Sequence, residues 1–168
     1  DDKEKLLNLI ETSDFGFPIP PKIGKKNIQM AGCVRWAGAS IDSEKNILYV
    51  SVDQFPYIST IIENKNFKGK YTHKWEYLVD KNNNPGIKPP WGAIVALDLN
   101  LGKIKWKVPF GNYDNLEDVY ETDTGTRNRS GVTATRGNLI FGSGTKDNKF
   151  RVFDSTNGDE LWSYTMSN

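Results

Sequence analysis

The sequence is poor in the residues that most often anchor chemistry. Of its 168 residues, one is cysteine and one is histidine. With Cys33 alone, no internal disulfide can form, so cysteine gives no reading of the redox compartment. His73 alone makes neither a metal site nor a catalytic triad, and its polar surroundings predict an exposed loop position. No apolar run approaches 18 residues and no stretch reads as a signal peptide. Net charge is also lacking: 22 Lys and Arg face 21 Asp and Glu, giving +1. Both signs are mixed along the chain, which argues against a nucleic-acid or anionic-membrane surface. An initiator Met is missing too. The chain opens on DDKEKLLNLIETSDF, the look of a mature or cut product.

Tryptophan and glycine, in contrast, are plentiful, and they are placed in a pattern. Ala96–Trp106 reads ALDLNLGKIKW and Val152–Trp162 reads VFDSTNGDELW. Asp98 and Asp154, Gly102 and Gly158, Trp106 and Trp162 are each 56 positions apart. Three matched positions at one offset mark an internal repeat. The Trp can pack between sheets with its N–H on a carbonyl. The Asp can accept backbone N–H groups in a turn. Both are structural tasks, so neither the two aspartates nor the two tryptophans are expected to be catalytic.

Taken in order, residues 1–12 suit a short helix with Leu6, Leu7 and Ile10 on one face. FGFPIPP then forces an extended run. Hairpins are predicted at CVRWAGASI–DSEKN–ILYVSV (33–52) and at GVTAT–RGN–LIFGS (131–143). Each precedes one copy of the Asp–Gly–Trp motif, with Gly102 and Gly158 at turns that need positive φ. Each unit is therefore four short antiparallel strands, of the propeller-blade type. Tyr49 and Phe141 match at 92 positions while the motifs match at 56. The first unit thus carries an insertion at about 53–90, expected to be a functional or a solvated loop. The predicted organisation is an all-β chain: a lead-in with a short helix over 1–32, a first blade over 33–109 and a second over 131–166.

The motif resembles the tryptophan-docking repeat of the quinoprotein dehydrogenases, which hold pyrroloquinoline quinone (PQQ) in an eight-bladed propeller. GFPIPP with GCVRWAGASIDSEKNILYV, PGIKPPWGAIVALDLNLGKIKWKVPFG and GTRNRSGVTATRGNLIFGSGTKDNKFRVFDSTNGDELW are similar, in order, to that family's characteristic stretches. The resemblance is nearest to the membrane-bound glucose dehydrogenase branch. It implies a partial propeller of two blades in the last third of a longer enzyme, with the general base and calcium ligands upstream. No catalytic or metal-ligating residue is therefore assigned within this chain.

PQQ is flat and carries three carboxylates, so its site needs cations and flat or apolar faces. The resemblance points to Arg35 and Trp36 on the innermost strand of the first blade. In the RNRSG segment leading into the second it points to Asn128 and Arg129, where Arg129 replaces an aromatic and Ser130 a glycine. It points to Asp147 as a residue near the cofactor, whereas TKDNK alone reads as a turn.

The implied function is a segment of a PQQ-dependent dehydrogenase oxidising a glucose-type sugar or a polyol and passing electrons to a respiratory quinone. The segment alone is expected to be inactive. Its place would be the periplasmic side of the bacterial inner membrane, with membrane attachment only through other parts. Its partners would be the substrate and the remaining blades or other copies of itself. The alternative is a non-catalytic PQQ-like-repeat propeller scaffold for protein binding.

Overall fold

The computed structural model describes residues 2–16, 19–66, 68–113, 116, 120 and 123–167; the side chains of Asp2, Ala31, Cys33 and Arg35 are outside that description. The chain divides into two compact units, residues 1–31 with 55–88 and residues 32–54 with 89–168. Two strands of 17 residues, β2 (Lys26–Asp42) and β3 (Ile47–Glu63), contribute to both units.

The first unit begins with α1 (Asp2–Thr12). Its packed face is Leu6 and Leu9, set against Ile28, Ile58 and Leu78. This corrects the expected face, because Leu7 and Ile10 are exposed. Positions three apart share one side of a helix, and Leu6 with Leu9 is the pair that meets the sheet. A short β1 (Asp14–Phe15) pairs in parallel with Asn27 and Ile28 of β2.

The insertion is not all loop: it contains the end of one strand and the whole of another. β3 runs on to Glu63 and pairs antiparallel with β4 (Tyr71–Tyr77), from Tyr57 opposite Tyr77 to Glu63 opposite Tyr71. His73 is exposed as expected but sits on β4, with its Nε2 2.8 Å from Ser59 Oγ. The alternation of Tyr57, Ser59 and Ile61 with their neighbours gives the run a strand period that its polar flanks obscure.

In the second unit the strand order is β2, β3, β5 (Gly92–Asp98), β6 (Lys103–Pro109). Ile47 to Asp53 pair antiparallel with Asp98 to Gly92. A second sheet follows in sequence order, from β7 (Val132–Ala134) through β8 (Leu139–Gly142) and β9 (Lys149–Asp154) to β10 (Glu160–Thr165), all antiparallel. Ile47, Tyr49, Ile94, Ala96 and Phe110 of the first sheet segment meet Val132, Ile140 and Phe153 of the second in one core.

The repeat is carried into backbone detail. Gly102 and Gly158 have φ of 63° and 85°, and each N–H returns to the Asp carbonyl four residues back. Asp98 Oδ1 accepts from the N–H groups of Asn100 and Leu101, and Asp154 Oδ1 from the N–H of Thr156. Asn46 and Asn138, 92 positions apart, both have positive φ and both accept the N–H two strands on, from Leu99 and Ser155. Each Trp follows a β-bulge at an equivalent place. Ala96 faces Trp106 while Leu97 faces Ile104; Val152 faces Trp162 while Phe153 faces Glu160. The extra residue is Lys105 in one sheet and Leu161 in the other.

Candidate functional site

Arg35 and Trp36 lie on β2, Asn128 and Arg129 on the segment leading into β7, and Asp147 in the turn between β8 and β9. β2 and β7 approach closely: a Cβ on Gly131 would stand 2.9 Å from the Gly38 carbonyl oxygen. The Ala134 N–H donates to Ser40 Oγ at 2.9 Å. Gly131 is therefore glycine for steric reasons, since two backbones meet there.

Trp36 stands on β2, 92% exposed. Val34, two positions before it and so on the same strand face, is also exposed. Arg35 lies between them on the strand, with its side chain outside the described residues. A shallow open depression lined by Gly32, Val34, Val52, Asp53 and Gln54 lies beside this face.

Asn128 is fully buried and bridges to the same place. Its Nδ2 donates to the Val52 carbonyl at 3.1 Å, and its Oδ1 has no hydrogen-bond partner. Ser51 Oγ donates to the Ser130 carbonyl at 2.7 Å, fastening the next residues to β3. Arg129 is exposed, and its backbone N–H donates to the Gly144 carbonyl at 3.2 Å. The structure thus gathers Asn128 and Arg129 against β3, next to the strand that carries Trp36.

Asp147 is placed apart from that group. Its carboxylate pairs through both oxygens with the Arg151 guanidinium. It also accepts the Thr145 hydroxyl at 2.6 Å and the Asn112 N–H at 2.8 Å. Burial alone would push its carboxyl up. The hydrogen bonds from Arg151 and Thr145, the Arg151 charge and the Asn112 N–H outweigh that and hold it below the ordinary carboxylate range. Arg151 continues the network to Glu160, with Nε 2.9 Å from Oε2. Arg151 and Asn112 were not legible as partners from sequence. The spacing of four between Asp147 and Arg151 was the available signal, but it becomes a contact only through the turn before β9.

Two features here suit a planar tricarboxylate: the exposed indole of Trp36 and the exposed guanidinium of Arg129. Asp147 does not suit it, because its charge is already engaged and its sign would repel a carboxylate. Among the described residues no group of three or more His, Cys, Asp or Glu side chains could hold a metal ion. No helix there is long and apolar enough to cross a membrane.

Comparison with known proteins agrees with this architecture. Quinoprotein glucose dehydrogenase A of Acinetobacter calcoaceticus is 26% identical over 153 residues, covering 78% of this chain and 19% of that protein. Quinoprotein glucose dehydrogenase of Escherichia coli (strain K12) is 27% identical over 158 residues, covering 78% and 20%. Quinate/shikimate dehydrogenase (quinone) of Acinetobacter baylyi is 33% identical over 97 residues, covering 51% and 12%. The chain therefore spans about a fifth of the length of these glucose dehydrogenases or less. Among solved structures, a europium-containing methanol dehydrogenase aligns with a TM-score of 0.51 at 18% identity, over 87% of this chain and 23% of that one. That likeness concerns the fold. A family model described as "PQQ: Glucose/ethanol/alcohol dehydrogenase, beta-propeller domain" matches residues 10–168. With nearly the whole chain matched and two sheets joined through repeated Trp motifs, the chain belongs to the beta-propeller domain family of the PQQ glucose/ethanol/alcohol dehydrogenases, and its sheets are two propeller blades.

Proposed function

We propose that these blades form one wall of the cofactor site in a PQQ-dependent dehydrogenase acting on a glucose-type sugar or a polyol. PQQ, when bound, supplies the acceptor for the two electrons removed from the alcohol carbon. Trp36 would offer a flat face to the ring system, and Arg129, with Arg35 beside Trp36 in sequence, a cation for its carboxylates. Asn128 would hold the wall in place through Val52. The general base and calcium ligands belong in this reading to other blades, electrons pass on to a respiratory quinone, and the enzyme faces the periplasm. The blades alone are then inactive.

The observation that carries the reading is the exposed Trp36 indole on β2 of a chain matched to this family over residues 10–168. The test is a fluorescence titration with PQQ and calcium, comparing the native chain with Trp36→Phe. Saturable quenching that is lost in Trp36→Phe is expected. Equal quenching in both would remove Trp36 from the site. One observation favours a second reading, a non-catalytic scaffold propeller: Asp147, matched by resemblance to a cofactor-side residue, is wholly engaged with Arg151. Absence of saturable quenching would show that these residues alone do not make a site, and its absence also with the remaining blades present would support the scaffold.

A further inference from the structure

Between β4 and β5 the insertion carries the turn DKNNNPG (80–86), with oxygen-bearing side chains at alternate positions: Asp80, Asn82 and Asn84. The same first, third and fifth positions open the loops that wrap calcium. Pro85 and Trp91 stand where such a loop has its turn glycine and its closing glutamate, so only the opening half of the pattern is present. Asp80 Oδ1 accepts the N–H groups of Asn82 and Asn84, each at 2.8 Å. The Asp80 N–H donates to the Asn84 carbonyl at 2.9 Å, and Asn83 takes the positive φ, 63°, within the turn.

Turn geometry alone makes no site, since Asp98 and Asp154 hold their own turns in the same way. Asn84 sets this turn apart. It is 5% exposed, and its Oδ1 has no hydrogen-bond partner, although a buried amide oxygen is costly to leave unpaired. The same amide lies against the aspartate, with Nδ2 3.0 Å from Asp80 Oδ2. A half-turn of an amide exchanges its nitrogen and oxygen. Here it would set two oxygens side by side, an arrangement that a cation between them stabilises. Both oxygens could then reach one ion at the usual calcium distance of about 2.3–2.6 Å.

We propose that Asp80, Asn82 and Asn84 bind a calcium ion that pins the turn of the insertion. Asp80 supplies the charge, Asn84 the buried amide oxygen and the exposed Asn82 a third oxygen, with water completing the shell. The donors are all oxygen, with no thiolate or imidazole, which selects a hard cation. Calcium accepts an irregular, partly hydrated set of this kind, whereas magnesium demands a near-ideal octahedron. One carboxylate and two amides fall outside the His, Cys, Asp and Glu groupings that are absent among the described residues. A single charge predicts weak binding, about 10⁻⁴–10⁻³ M, the range of extracellular calcium modules. The ligands all lie within residues 80–84, so the site depends on no other blade, and no residue of the proposed cofactor wall takes part.

The test is calorimetric titration of calcium chloride into the chelator-treated 168-residue chain, without PQQ, beside Asn82→Ala and Asn84→Asp. Asn82 is exposed, so Asn82→Ala should fold as the native chain does, which circular dichroism checks. The native chain is expected to bind one calcium ion saturably. Asn82→Ala should weaken that binding about tenfold or more, since even the outer partners of a metal site carry that much. Asn84→Asp sets a second carboxylate beside Asp80. Its melting midpoint should fall in chelator and recover in calcium, by a larger rise than the native chain shows. Absence of saturable heat from the native chain overturns the proposal, as does an unchanged affinity in Asn82→Ala. An Asn84→Asp midpoint that calcium fails to restore removes Asn84 from the site and overturns it too. Magnesium binding as tightly as calcium overturns the choice of ion.

Discussion

Arg151 and Asp147 form a doubly bonded ion pair whose side chains are 5% and 1% exposed, with Glu160 on the outer side of the arginine. A charge so placed is stable only while its partner is present. Asp147→Asn is expected to cost about 3–5 kcal/mol, the range for breaking a buried pair from one side, read as a lowered midpoint in urea. A cost below about 1 kcal/mol would show that the pair behaves as a surface contact.

The same carboxylate sets an acid limit. Its pKa is lowered in the folded chain, so its contribution is fully present above its unfolded value, near 4. That contribution is lost as pH falls through the folded value. Thermal melts at pH 7, 5, 4 and 3 should show the native chain losing stability mainly below pH 4. Asp147→Asn should lose less over that interval.

Trp106 closes a joint on the second blade: its Nε1–H donates to the Ser155 carbonyl at 3.0 Å, and its indole lies on Gly158. The joint can be separated into its parts. Trp106→Phe removes the N–H donor and keeps most of the packing, with an expected cost of about 1 kcal/mol. Gly158→Ala adds a Cβ at 2.8 Å from two side chains in a left-handed backbone, with an expected cost of about 1–3 kcal/mol. Gly102→Ala shares the backbone cost but has open space, so it should cost less. Denaturation of the three variants orders them; equal costs at Gly102 and Gly158 would show that contact with the indole adds nothing.

Gly92 and Gly125 meet backbone to backbone. A Cβ on Gly92 would stand 1.9 Å from the Thr126 carbonyl oxygen, and one on Gly125 would stand 2.0 Å from the Gly92 oxygen. Neither obstacle is the flexible end of a side chain. Alanine at either position is expected to cost more than about 3 kcal/mol, above the usual overpacking range, and to abolish a cooperative melt. A sharp transition near the native temperature in Gly92→Ala would show that the two segments can separate without loss.

Asn128 and Trp36 make a contrasting pair in the absence of any ligand. Asn128→Ala leaves the buried Val52 carbonyl without its donor and should cost about 1–3 kcal/mol. Trp36→Ala should change stability by no more than about 0.5 kcal/mol, as at an ordinary surface position. Guanidinium denaturation of both variants gives the comparison. A large loss in Trp36→Ala would mean that the indole packs against the protein instead of facing solvent.

The blade pattern was legible because it is periodic. Asp98 with Asp154, Gly102 with Gly158 and Trp106 with Trp162 announce turns and strands whose shapes follow from local chemistry, and the structure repeats them down to the bulge. The extent of β3 was not legible. Pro56 looks like a strand breaker, but it sits between the ladder to β5, which ends at Asp53, and the ladder to β4, which begins at Tyr57. On that edge of β3 no N–H is needed at Pro56. The helix face was half legible: apolar spacing offered Leu6, Leu7 and Ile10, whereas packing selects Leu6 and Leu9. At the candidate site, residue types were readable but pairings were not. Asn128 reaches Val52 across 76 positions and Asp147 reaches Asn112 across 35, separations that no local pattern encodes.

The bulges at Lys105 and Leu161 have a consequence for which length changes each blade can accept. A strand alternates faces with strict parity, and the extra residue inverts that parity between the glycine turn and the indole. Ile104 is thereby turned to solvent while Trp106 is turned inward. Removing Lys105 would leave Leu97 facing Ile104 and Ala96 facing Trp106 in plain alternation, so the indole would still turn inward. Deletion of Lys105 is therefore expected to keep a cooperative melt, because the bulge absorbs the lost residue. The direction of the indole is thus set by its partner on the neighbouring strand, and the bulge is the slack of one residue between glycine and tryptophan.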